Sequence, residues 1–95
     1  MAGFSSWGAF AELIAVPHAD FNLVRVPGSL GSVEAAGMGC RVTTSFRALV
    51  DRAQLKPGEW LSVHGCGGVG LSAVMIGAAI GAQVLAVDVN EAALA

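Results

Sequence analysis

A chain of 95 residues has room for at most one small domain. Its hydrophobic share of 55% exceeds the usual value of about 45–50%, and its charged share of 13% is about half the usual one. This excess indicates apolar surfaces that are meant for neighbours outside the chain. The net charge of −2, with scattered basic residues, argues against nucleic acid and anionic membranes as partners.

The cysteines and the apolar stretches indicate in which cellular compartment the protein is expected and whether it spans a membrane. Cys40 and Cys66 form no C-x-x-C motif and no disulfide framework, so we expect a reducing cytoplasm. Residues 1–10 lack the basic start and the apolar run of a signal peptide. The charge-free stretch between Glu59 and Asp88 is long enough to cross a bilayer. Its glycines, His64 and the missing basic flanks favour two strands around a helix instead.

The first third of the chain has the pattern of strands. Phe10–Val16 and Phe21–Val26 are β-rich runs that stop at Pro17 and Pro27. We therefore predict two strands of an antiparallel or barrel-like piece. His18 lies in the turn between them and is expected to be a solvated surface residue.

Two helices are predicted next. Ser32 is a plausible N-cap for a short helix over 32–36, which Gly37 and Gly39 end. Thr43 or Thr44 caps a longer helix that continues through Ala53, with apolar residues at helical spacing on one face.

The most informative stretch is Trp60–Asp88. A short apolar run is followed by a G-x-G-x-x-G motif at 65–70, then by small and apolar residues, and then by a second β-branched run that ends in Asp88. Strand, glycine turn, helix, strand and acid is the order of a dinucleotide-binding βαβ unit. The alternative is a glycine-rich turn in an ordinary α/β protein.

Each residue of this motif has an expected role. Gly65 permits a tight turn after the strand, Gly67 lets a pyrophosphate approach the backbone, and Gly70 lets the helix pack closely. The helix N-terminus presents unpaired N–H groups to the phosphates. Asp88, 18 residues after Gly70, can accept hydrogen bonds from the ribose hydroxyls. A 2′-phosphate would meet its negative charge, which favours NAD over NADP.

With Gly39-Cys40-Arg41 ahead of the stretch 63–72 (VHGCGGVGLS), the chain resembles the zinc-dependent alcohol dehydrogenases of the medium-chain dehydrogenase/reductase superfamily. Supporting stretches are GAFAE at 8–12 and TSFRA at 44–48. The resemblance implies an α/β fold: the first βαβ half of a Rossmann nucleotide-binding domain (residues 41–95), preceded by the C-terminal strands of a GroES-like catalytic domain (residues 1–40). After the second strand, Asn90 is expected to cap a further helix.

The resemblance also implies the site and its cofactors, NAD and zinc. Cys40 matches a ligand of the catalytic zinc, Thr44 a position near the nicotinamide, Val69 a residue packing on the nicotinamide face, and Asp88 the acid at the adenosine ribose. The remaining cofactor-binding positions are Gly65, Gly67, Gly68 and Gly70. The implied substrate is a small alcohol or aldehyde, and family members are often homo-oligomers.

Two alternatives remain. One is a zinc-free reductase of the same superfamily that acts on quinones or enones with NADPH. The other is a truncated product without catalysis, because the family's other zinc ligands and its proton relay come from a region that precedes this stretch. No residue of this chain is assigned a catalytic role.

Overall fold

The computed structural model describes residues 8–94. Its elements, in chain order, are α1 (Ala19–Asn22), α2 (Ser32–Gly37), a π-helical segment (Met38–Val42), α3 (Thr43–Phe46), a second π-helical segment (Arg47–Arg52), β1 (Trp60–His64), α4 (Gly68–Ile80), β2 (Gln83–Val87) and a 3₁₀ turn (Glu91–Ala93). The predicted α/β class and its strand–helix–strand unit are confirmed. The expectation that residues 1–10 are not a signal peptide concerns residues that lie largely outside the described range, and the division at residue 40 stays a prediction.

The two strands and α4 form one packed unit. β1 and β2 pair in parallel, from Trp60 opposite Gln83 to His64 opposite Val87. α4 lies across both strands at Gly77, where an added Cβ would come 2.6 Å from Leu61 Cδ2 and 3.1 Å from Val84 Cγ2. Because parallel strands have their carboxyl ends at the same edge of a sheet, the residues that follow β1 and β2 lie side by side.

The two strands predicted at Phe10–Val16 and Phe21–Val26 do not form. This region is irregular apart from α1, and Phe10 and Phe21 are almost fully exposed. A strand needs a neighbour for its backbone hydrogen bonds, and within residues 8–94 these runs have none. A local alternative forms instead, in which the side chain of Asn22 donates a hydrogen bond to the Pro17 carbonyl at 2.8 Å.

The two helices predicted over 32–53 form one continuous helical stretch from Ser32 to Arg52. Its N-cap is Gly31 rather than Ser32, and Gly37 keeps helical angles (φ −67°, ψ −24°) instead of ending a helix. Thr43 is not a cap either, because its hydroxyl donates back along the helix to the Gly39 carbonyl at 2.6 Å. Gly37 therefore does not interrupt the helix, because a glycine inside a helix lowers its stability by only about 1 kcal/mol relative to alanine.

The core is small and lies between this helical stretch, α4 and β1. Its apolar members are Leu49, Val63 and Cys66, joined by the buried hydroxyls of Ser45 and Ser72. Within the described residues, no helix has the length and apolar character needed to cross a membrane.

Candidate functional site

The turn between β1 and α4 is closely packed. Gly65 has φ +97°, a backbone conformation that L side chains rarely adopt. Its amide donates to the Val87 carbonyl at 2.7 Å, which joins the turn to the end of β2. An added Cβ at Gly70 would overlap the Gly65 carbonyl oxygen and lie 2.8 Å from its carbonyl carbon. Both glycines are therefore required by the shape of the turn.

Gly67 has the opposite surroundings. It is the N-cap of α4, with extended backbone angles (φ −73°, ψ −169°), and an added Cβ would meet nothing within 4 Å. The first amides of a helix have no partner within it and carry a partial positive charge. The open side of Gly67 thus exposes a position where an anion can approach the backbone closely.

Asp88 directly follows β2 and is tied to the glycine turn. Its Oδ2 accepts a hydrogen bond from the Cys66 amide at 2.5 Å, and its Oδ1 accepts one from the Asn90 amide at 2.8 Å. These two amides, that of Cys66 above all, lower the pKa of the Asp88 carboxyl below its ordinary value of 3.8. An ionised carboxylate has about four acceptor positions, so acceptor capacity remains for a diol.

Two clefts meet at this turn. One, of about 480 Å³, is lined by Val63, His64, Gly65, Gly67, Gly68, Val69, Gly70 and Ala73. The other, of about 370 Å³, is lined by His64, Gly65, Val87, Asp88 and Val89. Because they share His64 and Gly65, a ligand can extend from the start of α4 to the Asp88 carboxylate.

Contacts from the long helical stretch reach the same turn, and the sequence pattern did not indicate them. Ser45 is only 1% exposed, and its hydroxyl lies 2.7 Å from the Val69 carbonyl oxygen and 3.0 Å from that of Arg41. The Arg41 side chain crosses the face of Gly68. His64, the last residue of β1, lines both clefts, and its ring lies 2.9 Å from the Ser62 hydroxyl.

The predicted site residues are distributed unevenly. The four glycines and Val69 line the first cleft, and Asp88 lines the second. Thr44 is exposed on the helical stretch and lines neither cleft. The binding roles of all these residues stay predictions.

Cys40 is exposed, with a free thiol. A catalytic zinc needs about three protein ligands, and within residues 8–94 there is no group of three His, Cys, Asp or Glu side chains that could hold a metal. The described residues therefore do not fit a complete zinc site, and a ligand role for Cys40 stays a prediction.

Comparison with curated proteins shows similarity to alcohol dehydrogenases. Two alcohol dehydrogenases from Geobacillus stearothermophilus are 39% and 36% identical over 90 and 89 residues, which is 95% and 94% of this chain. The chain spans only about a quarter of their length, 26% and 25%. No family model matches the sequence.

Two similar solved structures are named for activities other than that of an alcohol dehydrogenase. A quinone oxidoreductase from Thermus thermophilus, solved also in complex with NADPH, matches 72% of this chain and 23% of its own, with a TM-score of 0.60 and 32% identity. The CurF cyclopropanase domain from curacin A biosynthesis matches 63% of this chain and 18% of its own, with a TM-score of 0.58 and 34% identity.

A strand–glycine turn–helix–strand unit with an acid at the second strand end has the order that is typical of nucleotide-binding α/β proteins. The resemblance identified from the sequence is confirmed: over most of its length the chain is similar to alcohol dehydrogenases and related reductases of the medium-chain dehydrogenase/reductase superfamily.

Proposed function

We propose that this chain forms the adenosine and diphosphate half of an NAD site in a zinc-dependent alcohol dehydrogenase. The observation that carries the proposal is the Asp88 carboxylate, which accepts a hydrogen bond from the Cys66 amide inside the glycine turn. That contact supports the proposal, because it holds a carboxylate beside the start of α4: the carboxylate would accept from the ribose, and the helix N-terminus would bind the diphosphate.

Electrostatics support NAD rather than NADP. The backbone amides that lower the pKa of Asp88 keep this carboxylate charged at neutral pH. A 2′-phosphate would then meet a like charge in the cleft that Asp88 lines, whereas a 2′-hydroxyl would donate to it. NAD would supply the hydride acceptor for oxidation of an alcohol. This chain's own contribution is to bind and orient the nucleotide.

The experiment is a calorimetric titration of the chain with NAD and with NADP. We expect NAD to bind more tightly than NADP. Asp88→Asn should reduce the ratio of the two affinities, because the amide keeps the shape of the side chain and removes its charge. Asp51→Asn, an exposed position on the helical stretch, is the matched control. Equal affinity of the unsubstituted chain for both cofactors would contradict the proposed role of Asp88.

A second candidate is an NADP-dependent quinone or enone reductase of the same superfamily. The similarity to the Thermus thermophilus quinone oxidoreductase, solved with NADPH, favours it. Tighter binding of NADP than NAD in the same titration would select this candidate, because an alcohol dehydrogenase that uses NAD has no need for a phosphate-tolerant ribose site.

The 95-residue chain alone is expected not to turn over an alcohol. Its described residues supply no three-ligand metal group, and Cys40 would be one ligand among several. We expect no zinc to remain after dialysis and no NADH to form from ethanol and NAD. Stoichiometric zinc measured by atomic absorption would show that other residues complete the site.

A further inference from the structure

Arg41 lies unusually close to the first turn of α4. Its Cγ and Nε would each be 3.2 Å from a Cβ added at Gly68, and its Cδ would be closer still. With the Arg41 side chain in this position, any side chain at position 68 would displace it. Gly68 is not one of the three glycines that define the G-x-G-x-x-G motif, and the passage of Arg41 across it is a feature that the motif does not include.

A buried hydroxyl, that of Ser45, lies between the backbone of Arg41 and the first turn of α4. Ser45 Oγ lies 3.0 Å from the Arg41 carbonyl oxygen and 2.7 Å from that of Val69. Ser45 is 1% exposed, and its single proton goes to the nearer acceptor, the Val69 carbonyl. This hydrogen bond packs the helical turn that carries Arg41 against the start of α4.

We infer that Arg41 is a further cofactor-binding residue, whose guanidinium binds the diphosphate of the nucleotide on the Gly68 side of the turn. Its stem lies on Gly68, which lines the larger cleft together with Gly67. A guanidinium forms charge-assisted, often bidentate hydrogen bonds with phosphate oxygens. Asp88 would hold the ribose on the other side of Gly65. This inference rests on the proposed nucleotide site.

The test compares variants with ligands that differ by the diphosphate. Arg41→Met keeps the aliphatic stem on Gly68 and removes the charge, and Arg41→Lys keeps the charge without the planar fork. Arg47→Met, on the same helical stretch, is the matched control. Each variant is checked by far-UV circular dichroism and titrated calorimetrically with NAD, ADP and adenosine.

We expect Arg41→Met to weaken the binding of NAD and ADP roughly tenfold, the usual loss for one hydrogen bond to a charged group, and to leave the binding of adenosine unchanged. Arg41→Lys should lose less of the affinity for NAD and ADP. If ADP binds equally well to the Arg41→Met and Arg47→Met chains while the unsubstituted chain binds NAD, Arg41 has no phosphate contact and the nucleotide site stands. If the unsubstituted chain binds neither NAD nor ADP, the proposed function and this inference both fail.

Discussion

At the residue scale, the glycines of the turn differ in what an added methyl group would meet. At Gly70 it would overlap the Gly65 carbonyl oxygen, and at Gly67 it would meet nothing within 4 Å. Gly70 is therefore required by the fold. The fold does not require Gly67, and the proposed nucleotide site would, because its ligand approaches the backbone there.

This difference gives a paired prediction. Gly70→Ala should lower the free energy of unfolding by about 1–3 kcal/mol, as overpacking does, whereas Gly67→Ala should leave it unchanged and weaken NAD binding. Urea denaturation and calorimetry measure the two effects. Gly28→Ala, where an added Cβ also meets nothing within 4 Å, is the control. Loss of stability without loss of affinity in Gly67→Ala would contradict the assignment.

Asp88 makes a pH-dependent contribution to stability. Its folded pKa lies below the ordinary value of 3.8, because the amides of Cys66 and Asn90 favour the charged form. A lowered pKa in the folded state means that the stabilisation is present above pH 3.8 and is lost as the pH falls through the folded pKa. At neutral pH this carboxylate is therefore charged, and both of its oxygens accept backbone hydrogen bonds.

We accordingly expect Asp88→Asn to destabilise the chain at pH 7 and to matter progressively less below pH 3.8. Urea denaturation midpoints of the two chains at pH 7, 5 and 3 measure this convergence. Glu91→Gln, three residues further on, tests whether the effect is specific. A constant difference between Asp88→Asn and the unsubstituted chain at all three pH values would mean that the charge of Asp88 has no role.

At the element scale, one of the two buried serines forms a hydrogen bond between two elements and the other forms one within a single helix. Ser45 joins the long helical stretch to α4, whereas Ser72 donates to the Gly68 carbonyl within α4 at 2.8 Å. Ser45→Ala should cost about 1 kcal/mol, the net value of a typical hydrogen bond, and Ser72→Ala close to nothing. Thermal unfolding of both variants measures the difference. Equal losses would show that Ser45 does not join the two elements.

The elements that the sequence predicted correctly are those whose determinants are local. β1, α4 and β2 follow from two β-branched runs, the glycines between them and Gly81, which ends α4 with φ +89°. The unpaired runs before residue 27 failed as strands because a strand depends on a partner, and composition does not supply one.

The same reasoning explains what was predicted of the site. Gly65, Gly67 and Asp88 have a recognisable spacing along the chain. Arg41 and Ser45 reach the turn from more than twenty residues away, and no spacing rule connects them to it. Only the packing of the helical stretch on α4 shows this contact.

At the scale of the whole molecule, the chain is less compact than a globular domain of its length. The radius of gyration is 16.4 Å, against about 12 Å for a compact domain of this length. Large apolar side chains remain exposed, among them Trp60 at 72% and Met75 at 71%. A sheet of two strands gives little stability without further partners, which agrees with a chain that spans a quarter of its relatives' length.

We therefore expect the isolated chain to associate with itself as its concentration rises, because exposed apolar surface favours burial. Sedimentation velocity over a range of concentrations measures the effect. Met75→Gln should reduce association, and Ser62→Ala, an exposed position on β1, should not. A monomer at every concentration would show that these surfaces do not pair.

The parallel register of β1 and β2 has a consequence for how the site can vary. Both strands end level, at His64 and Val87, so the number of residues in β2 sets where Asp88 emerges. One inserted residue would carry the carboxylate about 3.3 Å further and turn it to the opposite side of the sheet. Loops elsewhere can lengthen without this effect. If Asp88 selects the cofactor as proposed, the length of β2 is as much a determinant of that choice as the acid itself.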